Sequence, residues 1–311
     1  MPDIVAAPER RCQAPRSSSG RYRGSAGTVS PVAVAFVLSG GASLGAVEVG
    51  MLAALRERGI RPDVIIGTSV GALNGAWLAG HPGAPIDDLA EVWRGLHRAD
   101  VFPTDPRRGL LAFAGRRRSL LDEGPLRSLI ERHVTFSRLE DAPTPLHVVA
   151  VEVLTGRDVL LSTGPAVESV LASAALPAIF DPVEIGGVPY MDGGVGNNTP
   201  ISHAVALDVD LVWVLSAGHA CALTEPPTNA LAMALHALSL LLHRQLVVDV
   251  ERYEPRVELR VLPPLCPLTV SPVDFSHSAE LIERAHSAST RWLDEDHPPV
   301  GQAEFMSPHD H

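Results

Sequence analysis

The chain has 311 residues, 46% hydrophobic and 20% charged, with a formal net charge of −11. That much apolar material can fill the core of one large domain or two small ones. The 26 glycines and 27 prolines are about 17% of the chain, under the roughly 25–30% of low-complexity sequences, so collagen-like and wholly disordered chains are excluded. An acidic chain also lacks the basic surface that nucleic-acid phosphates require, and no nucleic-acid partner is expected.

Residues 1–30 are polar, carry Ser17-Ser18-Ser19-Gly20 and show no periodicity, as a disordered tail does. They hold five arginines but no apolar h-region, so no secretory signal is read there. Cys12, Cys221 and Cys266 are far apart and without metal spacing. Neither a disulfide framework nor a zinc site follows, and a reducing, cytoplasmic location is expected.

Order is predicted to begin with a strand over residues 32–38, followed by a Gly-rich turn and a helix over 47–59 whose apolar residues share one face. A second strand is expected at 63–66 and a small-residue helix at 70–79. Successive strand–helix units predict a parallel sheet buried on both faces. Further helices are expected at 86–96, 125–132, 167–173, 231–253 and 280–293. Further strands are expected at 146–153, 159–161, 211–215 and 256–262. Residues 100–124 resist assignment. The longest apolar run, 230–242, is too short to span a bilayer and reads as a buried helix. The simplest parse is one α/β domain over 31–295 with a polar tail over 296–311.

Chemistry concentrates at three places. Gly67-Thr68-Ser69-Val70-Gly71 is a G-x-S-x-G between a predicted strand and helix, the context in which a tight turn pushes a nucleophilic serine outward. With 26 Gly in the chain the pattern alone arises by chance with a probability of roughly 0.16, so the strand–turn–helix setting gives it weight. Ser39-Gly40-Gly41-Ala42-Ser43-Leu44-Gly45 is a second Gly-rich strand–helix turn. It suits an oxyanion hole built from backbone N–H groups better than a dinucleotide site, because Ala42 places a Cβ where pyrophosphate would lie. A simple helix–strand packing turn is the remaining alternative. The third place is Tyr190-Met191-Asp192-Gly193-Gly194, which taken alone reads as a surface turn.

In this order, with Ser173-Ala174-Ala175-Leu176-Pro177 and Asn198-Thr199-Pro200, these motifs resemble the patatin-like phospholipases. The resemblance covers roughly residues 32–210. It implies a three-layer α/β/α fold with a mainly parallel central sheet, and hydrolysis of lipid acyl esters by a Ser–Asp dyad without a cofactor. Carried over, Ser69 is the nucleophile, Asp192 the general base, and the amides of Gly40, Gly41 and Ala42 the oxyanion hole. Gly45, Gly67, Gly71, Gly193 and Gly194 complete the motifs. Leu44 stands where family members often carry a cationic residue, and Ala42 where they carry a third glycine.

Two alternatives stand beside this reading. Asp192 with His219, His243 or His277 could form a Ser–His–Asp triad of the α/β-hydrolase order, or the chain could be a non-catalytic lipid- or nucleotide-binding module. No cluster of metal ligands is seen, so no metal is expected. Residues 107–121 bracket Leu110, Leu111 and Phe113 with five arginines. They form a candidate flap for peripheral contact with an anionic membrane; a packed surface loop is the plainer reading.

Overall fold

A computed structural model describes residues 32–103, 119–218, 226 and 230–295. The expectations for residues 1–30 and 296–311, for most of the 107–121 stretch and for His219 lie outside them.

The strands are Val34–Leu38 (β1), Val64–Thr68 (β2), Leu146–Glu152 (β3), Asp158–Leu161 (β4), Val183–Ile185 (β5), Val188–Asp192 (β6), Leu211–Leu215 (β7) and Glu258–Val261 (β8). They form one mixed sheet in the order β5-β6-β3-β2-β1-β7-β8, with β4 paired to β3. The five strands β3, β2, β1, β7 and β8 run parallel, and β4, β5 and β6 join antiparallel. The helices are Ala46–Glu57 (α1), Val70–Gly80 (α2), Ile86–Gly95 (α3), Arg98–Val101 (α4), Gly124–His133 (α5), Ala166–Ser173 (α6), Gly194–Asn197 (α7), Ile201–Ala206 (α8), Ala230–Tyr253 (α9) and Ser278–Asp294 (α10).

Strand alternation builds three layers. Phe36 and Leu38 of β1 join Trp213 and Leu215 of β7 in a core shared with α1, α2, α3, α6 and α10. Ala35, Val37, Val212 and Val214 point the other way, against Ile201 and Ala204 of α8 and Leu246 and Val250 of α9. The fold is therefore α/β/α, as the motifs imply.

Two expectations change. The hairpin β5–β6 and the short helices α7 and α8 were not predicted, because the hairpin mixes polar and apolar residues around a Gly186-Gly187 turn. Nor is α9 a buried helix: only part of it seats on the sheet, and Leu240 and Leu241 are exposed. No helix among the described residues is long and apolar enough to cross a membrane.

The chain leaves β1 toward β2 on one side and reaches β7 on the other. The helix after β1 covers one face and the helix that follows β7 covers the opposite one. A crevice opens outside the carboxyl ends of strands where connections diverge like this, the usual ligand position in open α/β sheets.

Candidate active site

Ser69 follows the last residue of β2 and precedes α2. Its backbone has φ +54° and ψ −121°, a strained region for a residue with a Cβ. Close packing makes the turn possible. A Cβ at Gly67 would run into the Gly71 carbonyl, and one at Gly71 into the carbonyls of Leu38 and Ser39. Only glycine at both positions lets α2 start this close to β2 and β1. The Ser69 carbonyl accepts from Ala72 N at 2.9 Å, which starts the helix, and its amide donates to Ser173 Oγ at 2.8 Å. Ser173 Oγ in turn donates to the Val149 carbonyl at 2.6 Å, tying the elbow to β3.

Asp192 arrives through the sheet. Because β4 occupies one edge of β3 over Val148–Val151, β2 and β6 share the other edge, end to end. Thr68 pairs with Val149 and Asp192 with Ala150, the next residue. That register sets Ser69 beside Asp192. The Ser69 hydroxyl donates directly to Asp192 Oδ2 at 2.7 Å, and no imidazole stands between them. The Gly194 amide donates to Asp192 Oδ1 at 2.7 Å. The Asp192 amide donates to the Ala175 carbonyl and that of Gly193 to the Ser173 carbonyl, so the Ser173–Pro177 block braces the aspartate.

Asp192 is 2% exposed. Burial pushes its carboxyl up to about 6, against the opposing pull of the Ser69 and Gly194 hydrogen bonds. It is thus a stronger base than an exposed carboxylate, yet ionised at neutral pH.

The Gly40–Ala42 turn lies against the same serine. The Gly40 amide donates to the Asn198 carbonyl at 3.1 Å, and Asn198 Nδ2 returns a bond to the Gly40 carbonyl at 3.2 Å. Of the three amides expected to form an oxyanion hole, Gly40's is therefore occupied. Those of Gly41 and Ala42 have no partner among the described residues and open the helical run that continues into α1. Ala42 has φ +50°, which explains the glycine common at this position in the family and costs about 1–2 kcal/mol when a Cβ is present. Leu44, where a cation is frequent, is buried in the core.

Behind this turn sits a feature the motifs did not flag. Glu48 of α1 is fully buried, and burial holds its carboxyl well above the usual range. Asn74 Nδ2 donates to Glu48 Oε2 at 2.8 Å and to the Gly45 carbonyl at 3.0 Å, while Trp93 Nε1 donates to Asn74 Oδ1 at 2.9 Å. The network ties the Gly-rich turn, the elbow helix and α3 together. In sequence, Glu48 looks like any helix-surface acid.

His277 is bonded to Glu280 at an exposed helix start. His243 lies on α9 along a cavity that also contains Ser69 and Asp192. Among the described residues, no group of three or more His, Cys, Asp or Glu could hold a metal ion.

The model of the patatin-like phospholipase family matches residues 36–205, which contain every motif above. The chain belongs to the patatin-like phospholipase family. Among family relatives, an uncharacterised NTE family protein of Mycobacterium tuberculosis is 29% identical over 206 residues, covering 65% of this chain and 52% of its own length. The lysophospholipase NTE1 of Pyricularia oryzae is 27% identical over 60% of this chain and 12% of its own. The chain thus spans about half the length of the mycobacterial relative and a small part of the fungal one. Among solved structures, VipD from Legionella pneumophila aligns with a TM-score of 0.47 at 15% identity, covering 85% of this chain and 67% of that one.

Proposed function

We propose that the chain is a serine lipid acyl hydrolase, cleaving carboxylic esters of fatty acyl chains with Ser69 as nucleophile and Asp192 as general base. The observation that carries this reading is the 2.7 Å hydrogen bond from the hydroxyl of a strained, elbow-held Ser69 to a buried Asp192. Asp192 takes the hydroxyl proton as Ser69 Oγ attacks the ester carbonyl. The tetrahedral oxyanion is held by the Gly41 and Ala42 amides, with Gly40 keeping the turn in place through Asn198. Collapse breaks the ester C–O bond, and Asp192 returns the proton to the departing alcohol. Water, deprotonated by the same carboxylate, then releases the fatty acid and regenerates Ser69.

Family membership and fungal relatives named lysophospholipases both support lipid esters as the substrate class. The arginines of residues 107–121 extend the reading to an anionic lipid surface, each contributing about 1 kcal/mol near it. Co-sedimentation with anionic liposomes that is unchanged by replacing Arg116, Arg117 and Arg118 with Ser contradicts that extension. The test of the reading as a whole is fluorophosphonate labelling together with a hydrolysis screen over p-nitrophenyl esters, triacylglycerols, phospholipids and lysophospholipids. Ser69→Ala should abolish both signals. Labelling that persists in Ser69→Ala removes the assignment.

A further inference from the structure

Two cavities meet at Ser69. One lies between α2, α3 and α5; the other lies between the Gly40–Ala42 turn, the Asp192 turn and α9. Ala42, Ser69 and Leu176 line both, so the nucleophile stands at a partition.

The two sides differ in chemistry. No Asp, Glu or Arg lines the first among the described residues. Its walls are built on Trp77, Trp93, Phe102, Phe180 and Phe275, with Phe102 stacked on Phe180 at 5.9 Å and Trp93 on Phe275 at 6.3 Å. Asn74 also lines it, but both its amide nitrogen and its oxygen are bonded within the Glu48–Asn74–Trp93 network. Apart from Ser69 at one end and the half-exposed His133 at the other, a polar group entering here would lose its water without gaining a side-chain partner, whereas hydrocarbon would gain. The second cavity also has apolar walls, among them Leu238, Leu242 and Leu246 of α9, but it adds the carboxylate of Asp192 and the side chains of Asn198 and Thr199.

We propose that the α2–α3–α5 cavity is the acyl-chain chamber and that the cavity beneath α9 receives the leaving alcohol, so that a scissile ester lies across Ser69 between them. This assignment rests on the hydrolase reading above. It makes α5 the chain-length gauge. Leu126, Leu129, Ile130 and His133, spaced as one helix face, line the chamber, along about 10 Å at the rise of an α-helix. Each methylene that finds room there should tighten binding roughly threefold to fourfold.

Ser69→Ala protein provides the test without turnover, by calorimetric binding of methyl hexanoate and methyl dodecanoate. The dodecanoate should bind much more tightly. Adding Leu129→Trp should cut the dodecanoate-to-hexanoate affinity ratio at least tenfold, while adding Leu242→Trp, which fills the α9 side, should leave that ratio where it was. His133→Trp, at the half-exposed end of the same stripe, repeats the experiment should Leu129→Trp disturb folding. A ratio moved by Leu242→Trp and not by the α5 variants reverses the two chambers. A ratio moved by none of them places the chain elsewhere and overturns the proposal. Chain-length-dependent binding in a protein whose wild type hydrolyses no ester would instead remove the hydrolase reading and leave the chamber standing.

Discussion

The two halves of the site are held by opposite means. Ser69 is placed locally, by two glycines that admit a tight strand–helix turn, and it carries backbone strain at φ +54°. Asp192 is placed at long range, by the register of β6 on β3, and its backbone lies outside the positive-φ region. Its cost is desolvation, because a carboxylate is carried into a nearly dry site. One half stores conformational strain and the other electrostatic strain. Only the second depends on pH, which gives a means of separating them.

The largest expected effect is on turnover. Asp192→Asn should lower kcat at least about a thousandfold, since a carboxamide cannot take the serine proton; steady-state kinetics on a p-nitrophenyl ester checks this. A near-normal kcat would move the base to a histidine such as His243. Next comes the pH profile. The base must be ionised, so kcat/KM should fall about tenfold per pH unit below an apparent value of about 6. A profile flat down to pH 4 would contradict a buried Asp192 as base.

Stability should separate the halves further. The folded carboxyl is pushed up to about 6, against about 3.8 for an exposed aspartate. Below about pH 3 both states are protonated and Asp192 costs nothing. As pH rises from about 4 to 6 the unfolded chain ionises first, and stability drops. Above that window the deficit is constant, on the order of 3 kcal/mol. Asp192→Asn should therefore raise Tm at pH 8, with the gain vanishing below about pH 3. Ser69→Gly relieves positive φ, worth about 1 kcal/mol, but removes the hydroxyl that donates to the Asp192 carboxylate, so its net effect on stability should be less favourable at pH 8 than at pH 3. Thermal melts of both variants across pH decide whether the two costs are of different kinds. Ala42→Gly relieves the same kind of strain at φ +50° without touching Asp192, so its gain of about 1 kcal/mol should be equal at both pH values.

The local half was legible in the sequence and the long-range half only partly. Gly67–Gly71 shows its turn because sterics act over five residues between two apolar runs. Most parallel strands and the longer helices are legible for the same reason, being continuous or periodic in sequence. Asp192-Gly193-Gly194 alone looks like a surface turn, and only the resemblance to a family marked it. What makes Asp192 a strand end beside Ser69 is a pairing with Ala150, which no local pattern encodes. The occupied Gly40 amide is equally hidden, since Asn198, its acceptor, lies far along the chain. Glu48 is hidden too, because a single acid on a helix gives no sign that it is buried.

A double-mutant cycle on Ser69 and Asp192 tests the central claim most directly, namely that two separately positioned residues act as one unit. Turnover of a p-nitrophenyl ester would be measured for Ser69→Ala, Asp192→Asn and the pair. If Asp192 acts only by taking the Ser69 proton, the double variant should be no slower than Ser69→Ala alone. Losses that multiply, with the double variant slower than either single one by the full factor of the other, would show that Asp192 works independently of Ser69 and contradict the dyad.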